Sequence, residues 1–110
     1  MDKRILIVIA AAAALGAGAA GAADLVAAKK KVEEVCAACH GIDGATPTTP
    51  EYPKLAGQYA DYLAKALRDY KSGQRKNAIM AGFAQGLSEK DIENLSAYFY
   101  AQRNVLASKY

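Results

Sequence analysis

Cys36-Ala37-Ala38-Cys39-His40 puts two thiols and one imidazole in a single short stretch. At the spacing C-x-x-C-H, two thiols can form thioether bonds to the two vinyl groups of one haem. The adjacent imidazole can then ligate the iron from the same side. The chain holds 2 Cys and 1 His in all, so this stretch contains every such ligand it owns. Two other chemistries use the same residue types. A C-x-x-C pair can work as a thiol–disulfide redox motif, although that motif normally accompanies a strand–helix pattern, and no convincing strand is legible. Cys36, Cys39 and His40 could also supply three ligands to a metal, but structural zinc wants four, and no further Cys or His exists to close the set. Haem attachment is therefore the leading reading.

Met80 is the second residue with ligand chemistry. It is the only methionine apart from Met1, and a thioether is a soft donor suited to the sixth position of a haem iron. The plain alternative is a methionine that fills a gap in the core. If Met80 did not bind, the sixth position would be open, or taken by water or by Lys71 or Lys76.

The elements that must position these residues follow from the rest of the chain. Lys3 and Arg4 precede an apolar run from Ile5 to Leu15, and Gly16 to Ala23 contains only Gly and Ala. This is the pattern of an export signal, with cleavage expected after Ala22 or Ala23. The apolar run falls short of the ~20 residues of a comfortable membrane span. Residues 1–23 are thus read as a signal peptide, residues 24–110 as one domain, and no stable membrane insertion is expected after cleavage. So small a domain buries a modest core and benefits from a staple, which a covalently held macrocycle would provide. The formal net charge is +3, and removal of Lys3, Arg4 and Asp2 lowers it by one. No basic stripe with interleaved aromatics is visible, so a nucleic-acid partner is not expected.

Helical periodicity organises the domain. Asp24 is a candidate N-cap for a helix running into the cysteines and ending near Gly41. Ala28, Val32 and Val35 form its apolar spacing. Residues 41–53 contain all 3 prolines of the chain, together with Gly44 and three threonines, which is loop chemistry. A second helix is predicted over Gln58 to Lys71, where Tyr59, Tyr62, Leu63, Ala66, Leu67 and Tyr70 recur at steps of three and four. Asp61 and Lys65 form a candidate i,i+4 pair, and Gly73 is a natural stop. Residues 74–87, with Gly82 and Gly86 and no clear period, read as a second loop. The last helix starts at Ser88, with Asp91 completing a capping-box variant. It buries Ile92, Leu95, Tyr98 and Phe99 and runs toward Leu106. The expected fold is all-α, with three main helices and two long loops.

The motifs and their order resemble those of class I c-type cytochromes of the short single-haem bacterial kind. The matching segments are Cys36 to Gly41, the run Pro53-Lys54-Leu55-Ala56-Gly57-Gln58, Arg75 to Met80, and Leu87 to Tyr100. They span essentially all of residues 24–110. The resemblance implies a cytochrome c fold wrapped around one covalent haem c and its iron. It implies attachment at Cys36 and Cys39, His40 as proximal ligand and Met80 as distal ligand. It further implies that the Pro53 carbonyl accepts the proton of the imidazole's second nitrogen, that Leu55 packs on the haem, and that Tyr98 packs the last helix on the first. For Pro53, a role confined to shaping the loop is the alternative.

The expected function is electron transfer by a monomeric, soluble periplasmic protein, and not an enzyme acting on its own substrate. Its partners would be redox proteins such as a membrane oxidase, a reductase or a dehydrogenase. The alternative is a haem enzyme or gas-binding protein with an open distal site.

Overall fold

A computed structural model describes residues 22–102, which are helical and contain no strand. Most of the expected signal peptide, residues 1–21, and the stretch toward Leu106 lie outside the described residues.

α1 (Leu25–Lys31) opens at Asp24, whose carboxylate accepts the Ala27 N–H at 2.9 Å. It runs on through one wide π-helical turn (Val32–Cys36) into α2 (Ala37–His40). In that turn the Ala37 N–H reaches back five residues to the Val32 carbonyl. Cys36 and Ala37 both pack against the core begun by Ala28 and Val32, while Val35, expected on that seam, lines the cavity described below. Gly41 ends α2 with φ of +81°, a conformation that favours glycine.

α3 (Ala60–Ser72) ends at Gly73 with φ of +85°. Leu63 and Ala64 are buried, and Leu67 packs against the core. The charge pairing along α3 differs from expectation. Lys65 pairs with Asp69, while the Asp61 carboxylate accepts the N–H of its neighbour Tyr62 at 2.9 Å. A carboxylate in the first turn has orphan backbone donors close by, and they compete with the lysine.

The stretch read as a second loop contains a helix, α4 (Ala78–Gln85). Asn77 supplies its N-cap, accepting the Met80 N–H at 3.0 Å. The sequence hides this helix because it is apolar on more than one side. Ala84 is buried in the core, while Ile79, Met80 and Phe83 line a cavity. Helix packing thus overrides the missing period, and the domain has a fourth substantial helix beyond the three expected.

α5 (Glu89–Ala101) carries both arms of the capping box between Ser88 and Asp91. Ile92, Leu95, Tyr98 and Phe99 are all buried. They form the core with Ala28 of α1, Val32 of the wide turn, and Leu63, Ala64 and Leu87. The Tyr98 hydroxyl donates to the Ile42 carbonyl at 2.7 Å, which anchors the start of the first loop to α5.

Candidate functional site

The C-x-x-C-H stretch lies at the end of a helix, so its side chains are set by the packing of α1 on α5. Cys36 and Cys39 are free thiols, each half-buried. Burial pushes the Cys36 thiol up to about 11, against a smaller opposing effect of Lys31. A redox-active cysteine needs a lowered pKa, so this environment is the reverse of the one a dithiol catalyst requires.

His40 is buried, and its Nδ1 lies 2.9 Å from the Pro53 carbonyl oxygen. A carbonyl can only accept, so the proton of the neutral ring sits on Nδ1 and the lone pair on Nε2. The same loop closes the end of α2. The Thr48 N–H donates to the Cys39 carbonyl at 3.0 Å, and the Thr48 hydroxyl donates to the Ala38 carbonyl at 3.1 Å. These bonds satisfy carbonyls that a helix C-terminus leaves without partners. Gly44 holds the loop against the core. Its carbonyl accepts from Leu55 at 2.7 Å and from Ala56 at 3.1 Å.

A cavity of about 470 Å³ opens between α2, this loop, α3, α4 and α5. Cys36, Cys39, His40, Pro53, Leu55 and Met80 all line it. The structure thus brings together every site residue named from the sequence, although Met80 arrives on a helix and not on a loop. The remaining wall is largely apolar and aromatic, with Leu67, Phe83, Leu95 and Phe99 among its members. Two thiols, an imidazole with a free lone pair and a thioether around an apolar space form the donor set a covalent haem needs, so the residues present fit the group.

Two wall residues carry signals that the sequence reading did not use. Tyr52 stands beside His40, with ring centroids 6.3 Å apart and planes tilted by 57°. Arg75 lies over the face of Tyr70, 4.9 Å from the ring centroid, and the Tyr62 phenol beside it pushes its pKa further up. Arg75 and Lys54 are the two cations on the wall, with Glu51 as an anion. Their places next to Pro53 and five residues before Met80 were visible in the sequence, but their side chains meet the cavity only once the loops have folded.

The tyrosines of the predicted α3 stripe separate. Tyr62 and Tyr70 line the cavity, while Tyr59 precedes the helix and is 71% exposed.

Residues 25–100 match the family described as Cytochrome c. The chain is 44% identical over 82 residues to cytochrome c-554(548) of Halomonas halodenitrificans, covering 72% of this chain and 96% of that protein. It is 46% identical over 69 residues to cytochrome c4 of Pseudomonas aeruginosa, covering 63% of this chain but only 34% of that protein. Among solved structures it resembles reduced recombinant cytochrome c4 from Pseudomonas stutzeri, with a TM-score of 0.66 and 41% identity. That match covers 74% of this chain and 47% of the other. The chain thus spans about a third to a half of the cytochrome c4 proteins it matches, and nearly the whole of the Halomonas protein. The chain belongs to the cytochrome c family, haem proteins of electron transfer.

Proposed function

We propose that this chain is a soluble periplasmic one-electron carrier with one haem c, attached at Cys36 and Cys39 and ligated by His40 and Met80. The observation that carries the proposal is the convergence of these four residues on one largely apolar cavity, with His40 already oriented by Pro53. When bound, haem supplies a ferrous–ferric couple. The protein's part is to hold the iron's surroundings constant and to set the ease of oxidation.

Each residue contributes through its chemistry. The Pro53 carbonyl fixes the imidazole tautomer and ring orientation, leaving Nε2 free to ligate and raising its basicity. The Met80 thioether is soft and favours the ferrous state, which raises the potential. The apolar wall excludes water and disfavours the extra positive charge of the oxidised centre. Lys54 and Arg75 give the wall two cations able to offset the haem carboxylates. Among the described residues no helix is long and apolar enough to cross a membrane. Those partners are redox proteins, engaged through small and short-lived contacts, and the carrier itself is monomeric. It has no substrate of its own to transform.

Two measurements test the assignment. Exported protein should have the mass of the processed peptide plus one haem, and its ferric spectrum should show the weak far-red band of sulfur–nitrogen coordination. Cyanide and carbon monoxide should bind slowly. A bare peptide mass from cells with an active haem-attachment system would refute the attachment, and rapid ligand binding would refute Met80 as the sixth ligand.

A further inference from the structure

By residue type alone, Lys71 could replace Met80 on an iron. The fold uses it differently. Lys71 stands outside the cavity wall, in the last turn of α3, and the segment that ends α4 engages both its backbone and its side chain. Its carbonyl is among those that a helix C-terminus leaves without an intrahelical partner, and Gln85 Nε2 donates to it at 2.6 Å. Its ammonium donates to the Leu87 carbonyl. Lys71 thus grips the chain on both sides of Gly86, the residue that caps the end of α4. The grip has a fixed base. Leu87 is buried in the core. Three residues before Lys71, the Arg68 guanidinium donates to the Glu89 carboxylate at the start of α5, with Nε at 2.7 Å.

We propose that Lys71 and Gln85 form a clasp that positions Met80, holding α4 against the cavity and so setting how often the sixth position opens. This rests on the haem reading above and deepens it. A helix as short as α4 is not stable by itself, so its place is set by what it is tied to. Asn77 ties its start, the clasp ties its end, and Met80 lies between them on the cavity wall. Departure of the thioether moves or frays α4, and that motion strains both bonds at the corner. Segments with few ties open locally, well before the whole domain unfolds, so each tie weighs directly on the opening. The bond from the ammonium is charge-assisted and the stronger of the two. Lys71 is therefore the main arm of the clasp and Gln85 the lesser one.

Cyanide binding to the ferric holoprotein reads the opening directly, because at saturating cyanide the rate is limited by departure of the sixth ligand. Lys71→Ala should raise that limiting rate about fivefold, and Gln85→Ala about threefold. Lys71→Arg keeps a cationic donor and should stay within about twofold of wild type. The far-red band should keep its wild-type intensity in all three variants, since Met80 still ligates at rest. Amide exchange should accelerate in α4 and not in α1. Wild-type limiting rates in both alanine variants would overturn the clasp. So would equal acceleration of exchange in α1 and α4, the mark of residues that only stabilise the fold. If Lys71→Ala yields no holoprotein, Gln85→Ala decides: a faster limiting rate supports the clasp and an unchanged one overturns it. Absence of the far-red band from the unaltered protein would instead defeat Met80 as ligand, an outcome distinct from equal rates among the variants.

Discussion

His40 ends a helix whose last carbonyls, side chain and following glycine are all engaged by the 41–59 loop. Met80 rides instead on the eight-residue α4, whose one buried residue is Ala84. Around Met80, Ile79 and Phe83 face the cavity and not the protein core. Beyond its packing on α3, α4 is fixed at its ends. Asn77 caps its start, and Gln85 Nε2 donates to the Lys71 carbonyl at 2.6 Å. The side of the cavity that carries Cys36, Cys39 and His40 is thus the stiff one, and the opposite side is a short helix with fewer ties and more room to adjust. A thioether on a flexible stem can complete the iron's coordination without a rigid support.

The two sides should differ most visibly at the two proposed ligands. His40→Ala should abolish stable maturation, because it removes the proximal nitrogen and leaves the Pro53 carbonyl without its partner. Absorption spectra of exported protein will show whether any normal holoprotein survives; its recovery would contradict the proximal assignment. Met80→Ala should leave attachment intact and yield a protein that binds cyanide and carbon monoxide readily. Its midpoint potential should drop by more than ~59 mV, a tenfold change in the one-electron equilibrium. An unchanged potential in a redox titration would reject Met80 as ligand. Equal damage from both substitutions would reject the contrast between a stiff and an adjustable side.

The same contrast explains what could be read in advance. On the stiff side, each structural device leaves its own local trace in the sequence. Asp24 and Ser88 are caps, Gly41 and Gly73 are stops, and the buried stripe of α5 follows a regular period. On the adjustable side those traces fail. α4 has apolar residues facing both a core and a cavity, so its pattern carries no single period, and Gly82 and Gly86 argue for a loop. One trace was present: Asn77 stands where an N-cap belongs, ahead of Ala78, Ile79 and Met80. The wide turn at Val32–Cys36 was also illegible, because the expected spacing runs from Ala28 and Val32 to Val35, whereas Cys36 and Ala37 pack on the core and Val35 lines the cavity. Cys36, Cys39, His40 and Met80 could be named because ligand chemistry is a property of residue type, while Pro53 and Leu55 could be named only through the family resemblance. Tyr52 and Arg75 could not, because their contacts depend on where two loops come to rest.

The stiff side can be tested away from the ligands. Gly44 has φ of +69°, and a Cβ there would come within 2.7 Å of the Phe99 ring and 3.1 Å of the Ala56 nitrogen. Phe99 is buried and packs edge-on against Tyr98, so it has little room to yield. Gly44→Ala therefore combines overpacking with a strained backbone, at about 2–4 kcal/mol. Thermal unfolding of the holoprotein should move down by ~10 °C or more. A midpoint within two or three degrees of wild type would mean that the loop is not pinned on α5.

The adjustable side should respond more gently. Asn77→Ala removes the side chain that accepts the Met80 N–H, a loss worth ~1 kcal/mol for a helix cap. Because α4 has few other anchors, that loss should fall on the local opening of the helix more than on global unfolding. Amide exchange should then accelerate about fivefold in α4, while α1 and α5 change far less. Cyanide should also bind faster than to wild type, since each opening frees the sixth position. Uniform acceleration across all helices would show that α4 unfolds only with the whole domain. The two sides would then be equally stiff, and the cavity would have no adjustable wall.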